Sequence, residues 1–305
     1  MPLDFLSCKS YNIRVERSEE MEYLWVIFVV IYAILKSSRD CMKKASLKRS
    51  SLYEVLFFYT LIGLIMATPS LSEALALSPK FIFCIFIKSC VVCTAWFFSC
   101  LALGKMSVSL YGIMDLARVV FSMLLGVFAL GETLTVPKTV GALLVIVGLL
   151  MVNVKKKSNV EKTSVSVIIY SLLCCFFNSV SGTMDKALMK DGQMTSGQLQ
   201  FWFMFFMTII YAVTLIIHRK EINIKTLKKN YWIPLMSLSL VFGDRLLFEA
   251  NASPQSEVTV MTVIKQSSVI VTVLLGWWIY KEKDIPYKLF CCLIVLAGIF
   301  TAVLG

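Results

Sequence analysis

Seven ionisable side chains fall within long apolar stretches of this sequence: Lys88, Asp115, Arg118, Asp244, Arg245, Glu249 and Lys265. A charge near the middle of a bilayer costs roughly 2.5–3.5 kcal/mol on insertion scales, so each is expected to face a partner or a polar cavity. The spacing supplies partners. Asp115 and Arg118 are three apart, and Arg245 and Glu249 are four apart, which puts each pair on one helix face. Tyr111 and Ser122 extend the first pair into a polar stripe, and Lys265, Ser268 and Thr272 make a milder one. Such groups can bind a small polar solute, carry a coupling ion, or only hold helices together. Desolvation offsets most of the attraction in a buried pair, which argues against glue alone. Four of the seven are cations and three are anions, a lean towards an anionic or zwitterionic solute. Trp96, Phe97, Phe98, Tyr111 and Phe248 offer surfaces that either stack on a solute or simply pack.

Catalysis is a poor fit. The one histidine, His218, sits beside Arg219 and Lys220 at the end of an apolar run. No GxSxG, HExxH or phosphate-binding glycine loop occurs, so no catalytic residue, cofactor or metal ligand is assigned. Cys90-x-x-Cys93 has the spacing of a redox or metal pair, but no second pair accompanies it. Without a histidine in the membrane, a coupling proton would ride on Asp115, Asp244 or Glu249.

The elements that must position these groups are helices. The 305 residues are 58% hydrophobic and 16% charged, and the apolar runs are long enough to cross a bilayer. Ten such segments are predicted, near 22–42, 51–69, 81–103, 108–130, 136–154, 164–189, 197–217, 231–251, 256–280 and 286–304. The polar stretch Lys36, Ser37, Ser38, Arg39 and Asp40 reads as the end of the first. Residues 1–20 read as a polar tail and 155–163 as a basic linker. The net charge of +11 comes mainly from short loops, Lys43 and Lys44 counted among them, which points to topology and lipid headgroups rather than nucleic acid. Trp277, Trp278 and Tyr280 read as an interfacial belt.

The two halves echo each other. At an offset of 150, Gly126 falls on Gly276, Glu132 on Glu282, Gly148 on Gly298 and Asp115 on Lys265. CMKKA from Cys41 resembles TMDKA from Thr183 at an offset of 142. Five helices in each half is an odd number, so the second repeat enters the bilayer from the opposite side. The expected architecture is an all-α integral membrane protein of ten transmembrane helices in two inverted five-helix repeats, 21–154 and 164–305. Asp115 and Lys265, equivalent but opposite in charge, are expected to pair near the repeat axis.

Each repeat ends in a GxxxxxE helix (Gly126 to Glu132, Gly276 to Glu282) followed by a glycine-bearing apolar helix. This pattern resembles the EamA-type branch of the drug/metabolite transporter superfamily over about 22–304. The resemblance implies a multi-pass carrier of the inner (cytoplasmic) membrane for metabolites, amino acids or drugs, and termini in the cytoplasm; the loop charges instead predict termini outside. The expected function is secondary active export of a small polar metabolite by alternating access. Lys88, Tyr111, Asp115, Arg118, Asp244, Arg245, Glu249 and Lys265 are its candidate binding or coupling residues. The expected partners are a small-molecule substrate, the lipid bilayer and protons or another ion, in a monomer or homodimer. Two alternatives remain: an exchanger of phosphorylated or nucleotide-linked metabolites, and a non-transporting membrane scaffold.

Overall fold

The computed structural model describes residues 24–130, 135–154, 164–189, 194–218, 229–252 and 258–304. The tail 1–20, the linker 155–163 and Glu132 lie outside the described residues. Helices fill the predicted apolar segments: α1 Leu24–Leu47, α2 Leu52–Ala67, a 3-10 turn Thr68–Ser70, α3 Leu71–Leu75, α4 Pro79–Lys105, α5 Val108–Asp115, α6 Ala117–Leu130, α7 Val136–Val154, α8 Val165–Met189, α9 Ser196–Ile217, α10 Trp232–Ala252, α11 Val258–Tyr280 and α12 Ile285–Leu304. No strand occurs among the described residues.

Local sequence explains several helix starts. Ser51 accepts from the Glu54 N–H (3.4 Å) while the Glu54 carboxylate accepts from the Ser51 N–H (2.9 Å). Thr195 and Gln198 form the same reciprocal cap on α9. α4 opens on Pro79, whose missing N–H costs nothing in a first turn.

The structure departs from expectation in three places. α1 runs on to Leu47, because the polar stretch after Leu35 contains no glycine or proline and is rich in good helix formers. Lys43 and Lys44, counted above as loop charges, are therefore helical. The second segment continues through the 3-10 turn into α3. The fourth is interrupted at Leu116, where tighter i→i−3 bonds take over: the Leu116 N–H reaches the Ile113 carbonyl and the Val119 N–H the Leu116 carbonyl, each at 3.1 Å.

The chain is an all-helical integral membrane protein. Among the described residues six spans have the length and apolarity to cross a bilayer: Leu52–Leu75, Pro79–Lys105, Val108–Leu125, Val165–Asp185, Ser196–Ile217 and Ile285–Val303. Large apolar side chains such as Phe83, Phe128 and Trp278 point outward from the bundle. α1 and α10 are not among the six, and each carries a cluster of charges: Lys36, Arg39, Asp40, Lys43 and Lys44 on one, Asp244, Arg245 and Glu249 on the other.

The contacts between helices fall into matched sets. α1 packs on α10 as α8 packs on α4, and α1 on α11 as α8 on α5 and α6. α10 meets α2 as α4 meets α9, while α2 meets α9, α5 meets α11 and α7 meets α12. Every one of these contacts has its counterpart when the halves are exchanged. Two apolar cores result. One surrounds Tyr59, Ile85, Met204 and Met236; the other surrounds Ile113, Val145, Val273 and Val295.

α7 and α12 meet through glycine. A Cβ on Gly141 would stand 2.4 Å from the Gly298 carbonyl oxygen and 2.5 Å from Ala302 Cβ, and one on Gly148 would stand 2.5 Å from Val295. Inside a membrane, where burial of apolar surface gives helices no special reason to associate, such close approach is a main source of attraction. Gly141→Val should therefore lower thermal stability in detergent by about 1–3 kcal/mol. Gly104→Ala is the control, since its Cβ would meet nothing within 4 Å. Equal stability of parent and Gly141→Val would show that the seam is not close-packed.

Candidate functional site

The polar face of α1 lies in the centre of the bundle. Lys36 Nζ meets Asp115 Oδ2 on α5 at 2.9 Å, and Arg118 Nη2 meets the other oxygen, Oδ1, at 3.1 Å. Arg39 Nη1 meets Asp244 Oδ1 on α10 at 3.4 Å. Between these cations Ser37 donates to the Ser268 carbonyl of α11 at 2.8 Å, and Ser239 donates to the Leu35 carbonyl at 3.0 Å. α1 is thus tied to α5, α10 and α11 within about two turns of itself.

A second line of polar contacts leads away from Lys43. Its ammonium donates to Ser99 Oγ on α4 at 3.2 Å and stands 6.0 Å from the Trp96 ring centre. Ser99 Oγ is 2.7 Å from the Tyr111 hydroxyl, which lies 3.7 Å from Cys174 Sγ on α8. Lys88 is elsewhere: its ammonium is 2.7 Å from Asp185 Oδ1 on α8 and 4.2 Å from the centre of the Phe203 ring. That approach to Asp185 is an ion pair whose angle falls outside that of a hydrogen bond.

The candidate residues therefore separate into groups. Asp115 and Arg118 pair as their spacing predicts, with Tyr111 nearby on the same helix. Asp244 joins them through Arg39. Lys88 belongs to its own pair. Arg245 and Glu249 form the predicted pair at 3.4 Å, but at the end of α10, with side chains 38% and 47% exposed. Arg245 also approaches Ser70, and Glu249 accepts from Ser196 at 2.9 Å, so this pair joins helix ends rather than lining the centre. The expected Asp115–Lys265 pair does not form: both oxygens of Asp115 are taken, by Lys36 and Arg118. Lys265 lies half-buried on α11, one turn before Ser268.

Lys36, Arg39, Asp40, Lys43 and Asp185, all buried or half-buried, were not among the sequence candidates. The signal was present. Lys36, Asp40 and Lys43 recur at spacings of four and three, the signature of one helix face. Asp185 is the residue of TMDKA that falls on Lys43 at the 142 offset.

The bundle also has a clasp at the end where α5 begins and α11 stops. Lys281 adopts a left-handed conformation (φ 51°) and turns the chain so that Glu282 folds back on the helix. The Glu282 carboxylate accepts from the Val108 N–H at 2.7 Å and from the Ser109 N–H, and it pairs with Lys288 Nζ at 2.8 Å. Gly276 makes the room, since a Cβ there would stand 2.5 Å from Ser109 Oγ. This accounts physically for the GxxxxxE spacing of the second half. The carboxylate sits on the N-terminus of α5, where free N–H groups favour negative charge. At the same end the Tyr280 hydroxyl donates to the Cys41 carbonyl at 2.7 Å, so Tyr280 ties α11 to α1 rather than serving only as an interfacial anchor. Trp277 and Trp278 beside it do point outward.

Residues 165–304, the whole of α8 to α12, match the EamA-like transporter family. That match covers the second half of the chain, which is similar to the transporters of that family. No curated protein matches the sequence. A crystal structure of a protein 14% identical in sequence aligns over 90% of this chain and 95% of its own, with a TM-score of 0.58; at that identity the likeness is one of fold. EamA-like proteins are transporters, which agrees with reading this one as other than an enzyme. The Glu282 clasp joins the start of α5 in the first half to the α11–α12 turn of the half that matches the family.

Two outcomes follow from these contacts. Removing one member of a buried pair strands the other at a cost of about 3–5 kcal/mol, whereas removing both costs less. Arg39→Met should thus destabilise the protein strongly, and Arg39→Met with Asp244→Asn should recover part of the loss in thermal unfolding. Additive losses would mean that the two groups are not coupled.

For Glu282, burial pushes the carboxyl up, but its bonds to Lys288, Ser109 and Val108 outweigh that and hold it below the usual range. A lowered folded-state value gives stability that is fully present above the ordinary carboxyl range and is lost as pH falls through the folded value. Parent and Glu282→Gln should differ by a constant amount near neutral pH and converge on acidification. A difference that persists into acid would place the stabilisation elsewhere.

Proposed function

We propose that this protein is a secondary carrier that exports a small polar metabolite bearing a carboxylate, such as an amino acid or organic anion, across the cytoplasmic membrane. The observation that carries this reading is Lys43. It is buried, its one described hydrogen bond goes to a serine, and it takes part in none of the described ion pairs. Asp40, three residues earlier on the same face, attracts it without forming an ion pair, so a buried ammonium remains without a carboxylate in contact and a solute carboxylate would complete it. Trp96, Ser99 and Tyr111 around it supply an apolar face and hydroxyls, the usual mixture of a small-molecule site.

The mechanism we favour is alternating access between two inverted five-helix repeats that make up ten spans. The exchange symmetry of the packing supports it, as does the interruption of the fourth segment beside Asp115. A phosphate exchanger is less suited, because it needs several uncommitted cations on one face, whereas Lys36, Arg39, Lys88 and Arg118 each hold a carboxylate. The same pairing is what a scaffold would have, so the decisive test is binding. Purified protein should be screened by thermal shift against amino acids, organic anions, sugar phosphates and lipophilic cations. A ligand at a hundred times its Kd adds about 2.7 kcal/mol of stability. Carboxylate-bearing ligands should stabilise the parent, and Lys43→Met should lose that response while Lys265→Ala reports whether α11 takes part. Stabilisation by cations alone would overturn the reading, and no response from any ligand would favour a scaffold.

A further inference from the structure

Asp40 is the one central carboxylate that the ion-pair network leaves out. It is 8% exposed, midway along the polar face of α1, yet its side chain forms no hydrogen bond or ion pair among the described residues. The neighbouring carboxylates are all committed: Asp115 to Lys36 and Arg118, Asp244 to Arg39, and Asp185 to Lys88. Lys43, Lys36 and Arg39 lie around it, but none is within ion-pair distance; a buried carboxylate in contact with no cation is costly to keep charged, and binding a proton removes that cost.

The residue four positions earlier makes this consequential. Lys36 reaches across to Asp115, but on a helix a side chain at i also reaches the one at i+4, which is Asp40. One ammonium therefore has two carboxylates in range, one on α5 and one on its own helix. We propose that Asp40 is a proton-binding site, and that its state decides whether Lys36 holds α1 to α5 or turns back onto α1.

With Asp40 as a neutral carboxylic acid, Lys36 stays on Asp115, as in this structure. When the acid gives its proton to the aqueous side then open, the carboxylate left behind attracts Lys36, and Asp115 keeps Arg118 alone. The tie between α1 and α5 is then released. The groups facing Asp40 bear this out from each side. α1 itself carries Lys36, Arg39 and Lys43, with Cys41 next in sequence. α2 contributes Tyr59, α4 contributes Cys100, and α5 contributes Tyr111 and Asp115. α10 presents Asp244, held by Arg39, and α11 carries Lys265 a turn from the Ser37–Ser268 contact. Lys43, three residues on, also faces Asp40 and donates to Ser99 of α4; Lys36 is the cation among them that already holds a carboxylate of another first-half helix, so it is the one with two carboxylates to choose between. This rests on the carrier reading for its consequence, a proton coupled to transport, and it replaces Asp115, Asp244 and Glu249 as the proton carriers expected from sequence.

The test needs no substrate. Infrared difference spectra of the purified protein, recorded over a pH titration, should show the C=O stretch of a protonated buried carboxyl that disappears as pH rises. Labelling with 13C-aspartate should shift that band, and Asp40→Asn should abolish it, while Asp40→Glu retains a titrating band at a moved frequency. Lys36→Met removes the competing ammonium, so the band should survive to a pH higher by about 1–3 units. A parent without a titrating aspartate band, or a band that persists in Asp40→Asn, overturns the proposal. A titration unmoved by Lys36→Met overturns the exchange of partners. Should Asp40→Asn fail to fold, the labelled parent and Asp40→Glu still decide. Failure here concerns Asp40 alone, because the carrier reading is judged separately by ligand binding at fixed pH.

Discussion

A charge inside this bundle must be answered by the protein, because lipid cannot hydrate it. That constraint explains the position of α1. Lys36, Arg39, Asp40 and Lys43 occupy about two turns of a helix that otherwise reads as a membrane span, so this stretch cannot face lipid. It is enclosed instead, against α10 and α11 of the other half and against α4 and α5 of its own. Enclosing α1 with second-half helices interlocks the halves. α8 stands in the equivalent place, is enclosed by α4, α5 and α6, and brings Asp185 to Lys88. In both inter-half pairs the cation comes from the first half and the carboxylate from the second: Arg39 with Asp244, Lys88 with Asp185.

The bundle is thus held by two unlike kinds of contact. Between α7 and α12 the backbones touch through Gly141, Gly148 and Gly298, a dry seam in which any added atom collides. Close packing of this sort has one good arrangement and resists sliding. Around α1 the contacts are polar and carried by long side chains, which can change partner without moving their backbone far. A carrier whose halves rock needs both: a seam that keeps its register and a centre that can be re-wired.

Apart from the far ends of the first two and the break in the fourth, the helices were legible in sequence to within about two residues, because apolar runs and their breaks are local properties. The second and ninth helices even announce themselves by capping boxes at Ser51 and Thr195. Partner choice was less legible. Lys43 was read as a loop charge because hydrophobicity stops at Leu35, although nothing in the following residues stops a helix. The mistaken Asp115–Lys265 pair has a geometric cause. Ser109 lies at Gly276 and Gly112 at Thr272, so a step forward along α5 is a step back along α11. Asp115 then comes level with about Val269, and Lys265 lies a turn beyond. Residues equivalent under a two-fold repeat face each other only where they straddle the axis closely, and these two do not. The vacancy opposite Asp115 is filled by α1, a helix whose arrival no offset between the two copies predicts.

The cost of breaking these pairs restricts how a carrier built this way can move. Opening Arg39–Asp244 or Lys88–Asp185 outright would strand two charges, at about 3–5 kcal/mol for each pair. Several such ruptures together would approach the whole stability of a typical fold. In the alternating-access carrier we propose, motion between the halves would be tolerable only if charges trade partners, so that each leaves one neutralising contact as it reaches another. α1 is suited to that, since its cations and Asp40 recur every three or four residues along one face. A shift of one turn presents the next group of the set to the same carboxylate. α8, with Asp185 as its described charge in the corresponding stretch, has no such series, so the first half supplies the alternatives and the second half the fixed points they move between.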